Sequence, residues 1–68
     1  MDKFQLSIVL TEILKEYNFV DTIEVIEYTD NRKSNNIYGQ FKENNIIYNF
    51  SLDYDDNLDI TDLSWINK

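Results

Sequence analysis

Five aspartates crowd the C-terminal third of the chain: Asp53, Asp55, Asp56, Asp59 and Asp62, with no lysine or arginine between Glu43 and Asn67. Carboxylates at this density can chelate a hard cation, present a negative field to a basic partner, or pair as acid and base. Asp53, Asp55, Asn57 and Asp59 are spaced like the first four ligands of a helix–loop–helix calcium site. The match fails at the sixth position, where a sharp turn demands glycine and Leu58 stands. It fails again at the twelfth, where a bidentate glutamate should close the shell and Ser64 stands. The residues before the loop also alternate like a strand. A weak divalent-cation binder is therefore a remote alternative, and no residue is assigned as a metal ligand.

Catalysis is not expected. Histidine and cysteine are both absent from the 68 residues, which removes the common nucleophile–base pairs, disulfides and Cys/His zinc sites. Paired carboxylates need a concave site, and a two-layer domain this small leaves little room for a pocket of about 300 Å³ or more. No glycine-rich phosphate loop occurs and no cofactor is implied. Thirteen acidic residues against six basic ones give a net charge of -7, which repels nucleic acid and anionic membrane and attracts basic partners. No stretch approaches the roughly 20 apolar residues that span a bilayer, and Met1–Tyr17 lacks the pattern of a secretion signal. A cytoplasmic protein is the expectation.

These limits leave a small acidic protein-interaction module, not an enzyme, that binds a basic protein partner through its acidic surface, the aspartate cluster, or through the open face of its sheet. The plainer reading of the aspartates is a solvated turn that keeps the protein soluble and its edge strand unsticky. Heavy use of Asn, Ile, Lys, Asp and Tyr fits an AT-rich coding sequence, as in low-GC bacteria and their phages. In size and charge alone the chain is similar to the small acidic phage proteins that block host enzymes, so a phage or mobile-element protein with a host target is the working expectation. The alternative from another class is a structural subunit of a homo-oligomer. Adding a second copy is a common reinforcement for a chain that buries only about 60% of its unfolded surface.

The elements that must position the aspartates follow from periodicity. Asp2–Tyr17 predicts a helix capped by Asp2, with Leu6, Val9, Leu10, Ile13, Leu14 and Tyr17 in one apolar stripe. Phe4 and Ile8 fall outside that stripe and pair on the polar face, a second candidate contact patch. Asn18 suits the left-handed residue after a helix. Phe19–Thr29 is rich in β-branched residues and predicts a strand whose phase slips near Val25–Ile26, as at a bulge. Asp30–Asn36 is a polar loop.

The clearest pattern lies between Asn36 and Leu58. Ile46, Tyr48, Phe50, Leu52 and Tyr54 alternate with more polar residues, and Asn44-Asn45 suits a type I′ turn. That turn pairs Phe41 with Tyr48, Gly39 with Phe50 and Ile37 with Leu52 on one face, and Lys42 with Ile47, Gln40 with Asn49 and Tyr38 with Ser51 on the other. Gly39 then lies where the Phe50 ring can cover a bare backbone. A second turn at Asp55-Asp56-Asn57, with Asn57 left-handed, pairs Tyr54 with Leu58 and Leu52 with Ile60, and sets Asp53 against Asp59. A bulge near Thr61–Asp62 brings Leu63 and Trp65 back into phase, with a short C-terminal helix as the competing reading.

The fold expected for residues 1–68 is one small α+β domain of two layers, a single N-terminal helix packed on a four-stranded antiparallel meander in the order α-β-β-β-β. One face of the sheet is left open. It would show Tyr38, Gln40, Ile47, Asn49 and Ser51, with Ile26 and Tyr28 at its margin, and Tyr38 and Ile47 make it a candidate surface for a partner or for a homodimer.

Overall fold

The computed structural model describes residues 2–19 and 21–68. Helix α1 spans Lys3–Leu14 and tightens into a 3₁₀ turn over Lys15–Tyr17. Strands β1 (Glu24–Asn31), β2 (Asn36–Glu43), β3 (Ile46–Tyr54) and β4 (Ile60–Asn67) follow. They form one antiparallel sheet in the order β1-β2-β3-β4. This is the expected α+β meander. Among the described residues no helix is long and apolar enough to cross a membrane.

The helix begins where the sequence places it. Asp2 accepts a hydrogen bond from the Gln5 amide at 2.8 Å, and Gln5 Oε1 accepts one from the Asp2 amide at 3.3 Å, a reciprocal capping box. Asn18 ends it in the left-handed conformation, φ 71°. Leu6, Leu10 and Leu14 are fully buried. They meet Ile23, just before β1, and Val25, Ile37, Phe41, Phe50 and Leu52 on the inner face of the sheet. Phe4 and Ile8 stand outside the core, 73% and 50% exposed.

Ser7 and Thr11 fasten the helix to the edge of the sheet. Ser7 Oγ accepts from the Val25 amide at 3.0 Å, and Thr11 Oγ1 from the Ile23 amide at 3.1 Å. Each hydroxyl donates in turn to the carbonyl one helical turn back, Lys3 and Ser7 respectively. Lys3 Nζ donates to the Ile26 carbonyl at 3.1 Å. Spacing of four places the three side chains on one helix face, and together they occupy three backbone groups at the start of the edge strand. The hydrophobic pattern carries no trace of this ladder.

Strand β1 differs from the expected Phe19–Thr29. It starts at Glu24 and continues to Asn31; Val20, expected within it, lies outside the described residues. The bulge falls between Val25 and Glu27, as the phase slip predicts. Its consequence for Tyr28 runs against expectation. One extra residue returns Tyr28 to the helix side, opposite Gly39, where it packs against the core and not on the open face.

The β2–β3 register is the predicted one at every pair, with Asn44 and Asn45 at φ 52° and 64°. Gly39 does face Phe50, but a second constraint is stricter. A Cβ there would collide with the Glu27 carbonyl oxygen and come within 2.7 Å of the Tyr28 Cα. The bulged part of β1 crosses so close to β2 that only glycine fits.

Candidate functional site

The second hairpin departs from expectation by one residue. The left-handed residue is Leu58, φ 65°, and not Asn57. Asp55 sets this shift. Its carboxylate Oδ1 accepts from the amides of Asn57 at 2.9 Å and Asp59 at 3.0 Å. The Asp55 amide donates to the Asp59 carbonyl, closing the loop around Asp56-Asn57-Leu58. An Asp side chain that binds its own backbone two residues on holds a turn in place, and here it outweighs the cost of a left-handed leucine.

The shift rewrites the pairing. Tyr54 faces Ile60 and not Leu58, and Leu52 faces Leu63 and not Ile60. Asp53 faces Asp62 and not Asp59. A bulge at Thr61 follows from the register step between Asp53 and Tyr54, so residues 60–67 are a bulged strand and not a helix. Like charges still meet across the strands, with a different partner.

The five aspartates do not form one patch. Asp53 and Asp62 lie on the face away from the helix, in a row with Asn31 and Asn36. Asp55 and Asp56 turn to the helix side, and Asp59 sits exposed at the loop. Four of them already hold a protein donor: Asp53 takes Asn36 Nδ2 at 2.7 Å, Asp56 takes Asn35 Nδ2 at 3.1 Å, Asp62 takes the Leu63 amide at 3.0 Å, and Asp55 the two amides above. Among the described residues no Lys or Arg reaches ion-pair distance of any of the five. No three acidic side chains among them converge as a metal site would require.

Asp55 and Asp56 border a groove of about 360 Å³ at one end of the inner face. Its apolar lining is Ile37, Leu52 and Ile60 on the floor, Tyr54 in the wall and Leu58 at the lip. Its rim is polar: Asp30, Arg32, Asn35, Asp55 and Asp56. Among the described residues no helix residue lines it, and the reason is the diagonal course of the helix. Lys3 meets β1 at Ile26, while Tyr17 packs edge-on against Trp65 of β4 with ring centroids 5.4 Å apart. That path covers the end of the sheet where Phe19, Phe41, Tyr48 and Trp65 cluster, and leaves the Asp30–Ile60 end open. The volume exceeds what a chain this short was expected to hold.

Tyr54 stands in the groove wall. Its hydroxyl donates to Asp30 Oδ1 at 2.8 Å, which holds its pKa above the ordinary tyrosine value, with partial burial and the Asp30 charge adding to the effect. Arg32 Nε lies 3.8 Å from Asp30 Oδ2 on a mostly exposed side chain, a weak ion pair. Leu58, 70% exposed on a strained backbone, stands at the lip. Asp30, Tyr54 and Leu58 were missed by sequence reasoning. Only the left-handed turn hinted at Leu58, and that hint pointed one residue too early.

The other expected surfaces hold their places without forming a site. Tyr38 and Ile47 are exposed on the open face, 49% and 36%, among polar neighbours. Gln40 Nε2 donates to Asn49 Oδ1 across this face, and Asn36 Nδ2 to Ser51 Oγ. Phe4 and Ile8 border a shallow dip with Thr22. No family model matches the chain, and neither a curated protein nor a solved structure is detectably similar to it.

Proposed function

We infer that the protein is a non-enzymatic interaction module that takes a lysine- or arginine-bearing segment of a protein partner in the groove between Asp30 and Leu58. The observation that carries this reading is the pairing of an uncovered apolar floor with three carboxylates, Asp30, Asp55 and Asp56, on its rim. Long basic side chains have that character in reverse. Their aliphatic stems favour an apolar surface and their charged heads favour carboxylates at its border. The net charge of -7 adds a long-range field that draws a basic partner in. The expected setting is the cytoplasm, with a host protein as the target of a phage or mobile-element product.

An amide NMR titration with a short peptide of alternating Lys and Leu, against the same peptide with Glu for Lys, tests the reading. The basic peptide should shift Asn35, Tyr54, Asp56, Leu58 and Ile60, and Asp56→Asn and Leu58→Ala should each weaken it. Binding should fall steeply between low and physiological salt. Equal binding of the acidic peptide, or shifts confined to the open face, would overturn it. The alternative, a structural subunit of a homo-oligomer, is supported by a different part of the molecule, the outer edge of β4.

A further inference from the structure

The two edges of the sheet are treated differently. On β1 the Ile23 and Val25 amides and the Ile26 carbonyl are occupied by Thr11, Ser7 and Lys3 of the helix. β4 has no such cover among the described residues: it is the last strand of the sheet, and no described helix lies along its outer side. Which of its backbone groups face outward follows from one hydrogen bond. The Lys68 amide donates to the Ile47 carbonyl at 2.9 Å. Antiparallel ladders alternate, so Ser64 and Ile66 also bond to β3, while Leu63, Trp65 and Asn67 present their amides and carbonyls outward. The Leu63 amide agrees, since its partner is the neighbouring Asp62 carboxylate and not β3.

We propose that a second copy of this chain pairs antiparallel along this edge, β4 to β4, about a two-fold axis at Trp65, giving a continuous eight-stranded sheet. Charge selects that register. Pairing Trp65 with Trp65 of the other copy sets Leu63 against Asn67 and Asp62 directly against Lys68, twice per dimer. The Asp62–Lys68 pairs fall at the closely spaced, non-hydrogen-bonded positions, where opposite charges couple best. Moving the register by two residues either way removes both pairs. Asp62 leaves the Leu63 amide in this arrangement, freeing it for the Asn67 carbonyl opposite.

Two further features favour the contact. Trp65, with Tyr17 and Phe19 packed against it, would meet the same aromatic group of the other copy across the axis. The acidic loops point away from each other: Asp59 lies six residues from the axis, so the two loops sit roughly 35 Å apart, several Debye lengths at physiological salt. The helix over the start of β1 disfavours growth from the opposite edge, so assembly closes at two copies.

Sedimentation equilibrium over a wide concentration range decides the matter. Wild type should show a monomer–dimer equilibrium. Asn67→Pro removes an outward amide without touching the β3 ladder, and should abolish dimers. Asp62→Lys should weaken association at least ~tenfold by placing like charges opposite each other twice. The same change relieves the Asp53–Asp62 repulsion within the monomer, so loss of dimer cannot be read as unfolding. The exchange Asp62→Lys with Lys68→Asp should restore association. Wild type that stays monomeric at millimolar concentration, or an Asn67→Pro variant that dimerises like wild type, would overturn the proposal.

Discussion

Two of the three β-hairpins of this sheet, β2–β3 and β3–β4, share strand β3 and are built on opposite principles. In the first, the turn residues themselves prefer the required backbone: Asn44 and Asn45 adopt positive φ, and every pair in β2 and β3 follows from them. In the second, the backbone is set by a side chain that is not at the strained position. Asp55 binds two loop amides, and the left-handed residue falls on Leu58, which has little intrinsic tolerance for it. A turn that rests on its own residues needs nothing else. A turn held by a side chain can carry an unfavourable residue, and here that residue is the exposed apolar lip of the groove.

The sharpest way to break the first hairpin is from outside it. Gly39→Ala should destabilise the protein by about 3 kcal/mol in urea unfolding, because the new methyl meets the Glu27 carbonyl and the Tyr28 Cα, and backbone cannot step aside as a side chain could. A loss below about 1 kcal/mol would mean that the β1 bulge is soft. The second hairpin should break from within. Asp55→Ala leaves two loop amides without their acceptor and should cost about 1–2 kcal/mol. It should also free the left-handed position to move to Asn57, carrying Tyr54 from Ile60 to Leu58. Cross-strand nuclear Overhauser contacts report that switch, and an unchanged Tyr54–Ile60 contact would deny Asp55 its role in register.

The contrast explains what the sequence could and could not show. The first hairpin was readable because its two strands alternate in phase and its turn residues advertise themselves. The N-cap at Asp2, the stop at Asn18 and the slip near Ile26 were readable for the same local reason. The second hairpin was not, because Asn57 is the better left-handed residue by propensity and nothing local announces that Asp55 will hold the backbone one residue out of step. Gly39 was placed correctly against Phe50, yet its stricter reason lies on β1, eleven residues earlier at Tyr28. Ser7 and Thr11 look like filler on a helix until the edge of β1 lies beside them. The groove was invisible because it depends on the diagonal of the helix, which is set by where Lys3 and Tyr17 land and not by any pattern within α1.

Paired glycine substitutions put the contrast on one scale. Leu58→Gly should stabilise the protein by about 1 kcal/mol, since glycine takes positive φ without the Cβ penalty. Asn45→Gly should change stability by less than about half of that, because asparagine already accepts the conformation. Equal gains at both sites would mean that Leu58 is not strained and that the two turns do not differ in kind. Leu58→Gly also removes the groove's lip, so a more stable protein that binds the basic peptide less well would separate the stability of the turn from its use.

The smallest effect concerns the strand that both hairpins share. Tyr54 ends β3 within the second hairpin, yet its hydroxyl reaches back to Asp30 at the end of β1, and its pKa is raised above the ordinary value near 10 mainly by that hydrogen bond. A group whose folded pKa is raised binds its proton more tightly in the native state than in the unfolded chain. Its contribution is therefore complete below the ordinary tyrosine range and fades as pH rises through the higher, folded value. The stability difference between wild type and Tyr54→Phe should be flat from neutral pH to about pH 9.5, then shrink as the solution becomes more alkaline. The ultraviolet titration of wild type minus that of Tyr54→Phe should show the Tyr54 phenol ionising late. A constant difference across the alkaline range would place the Asp30–Tyr54 bond outside the energetics of the groove wall.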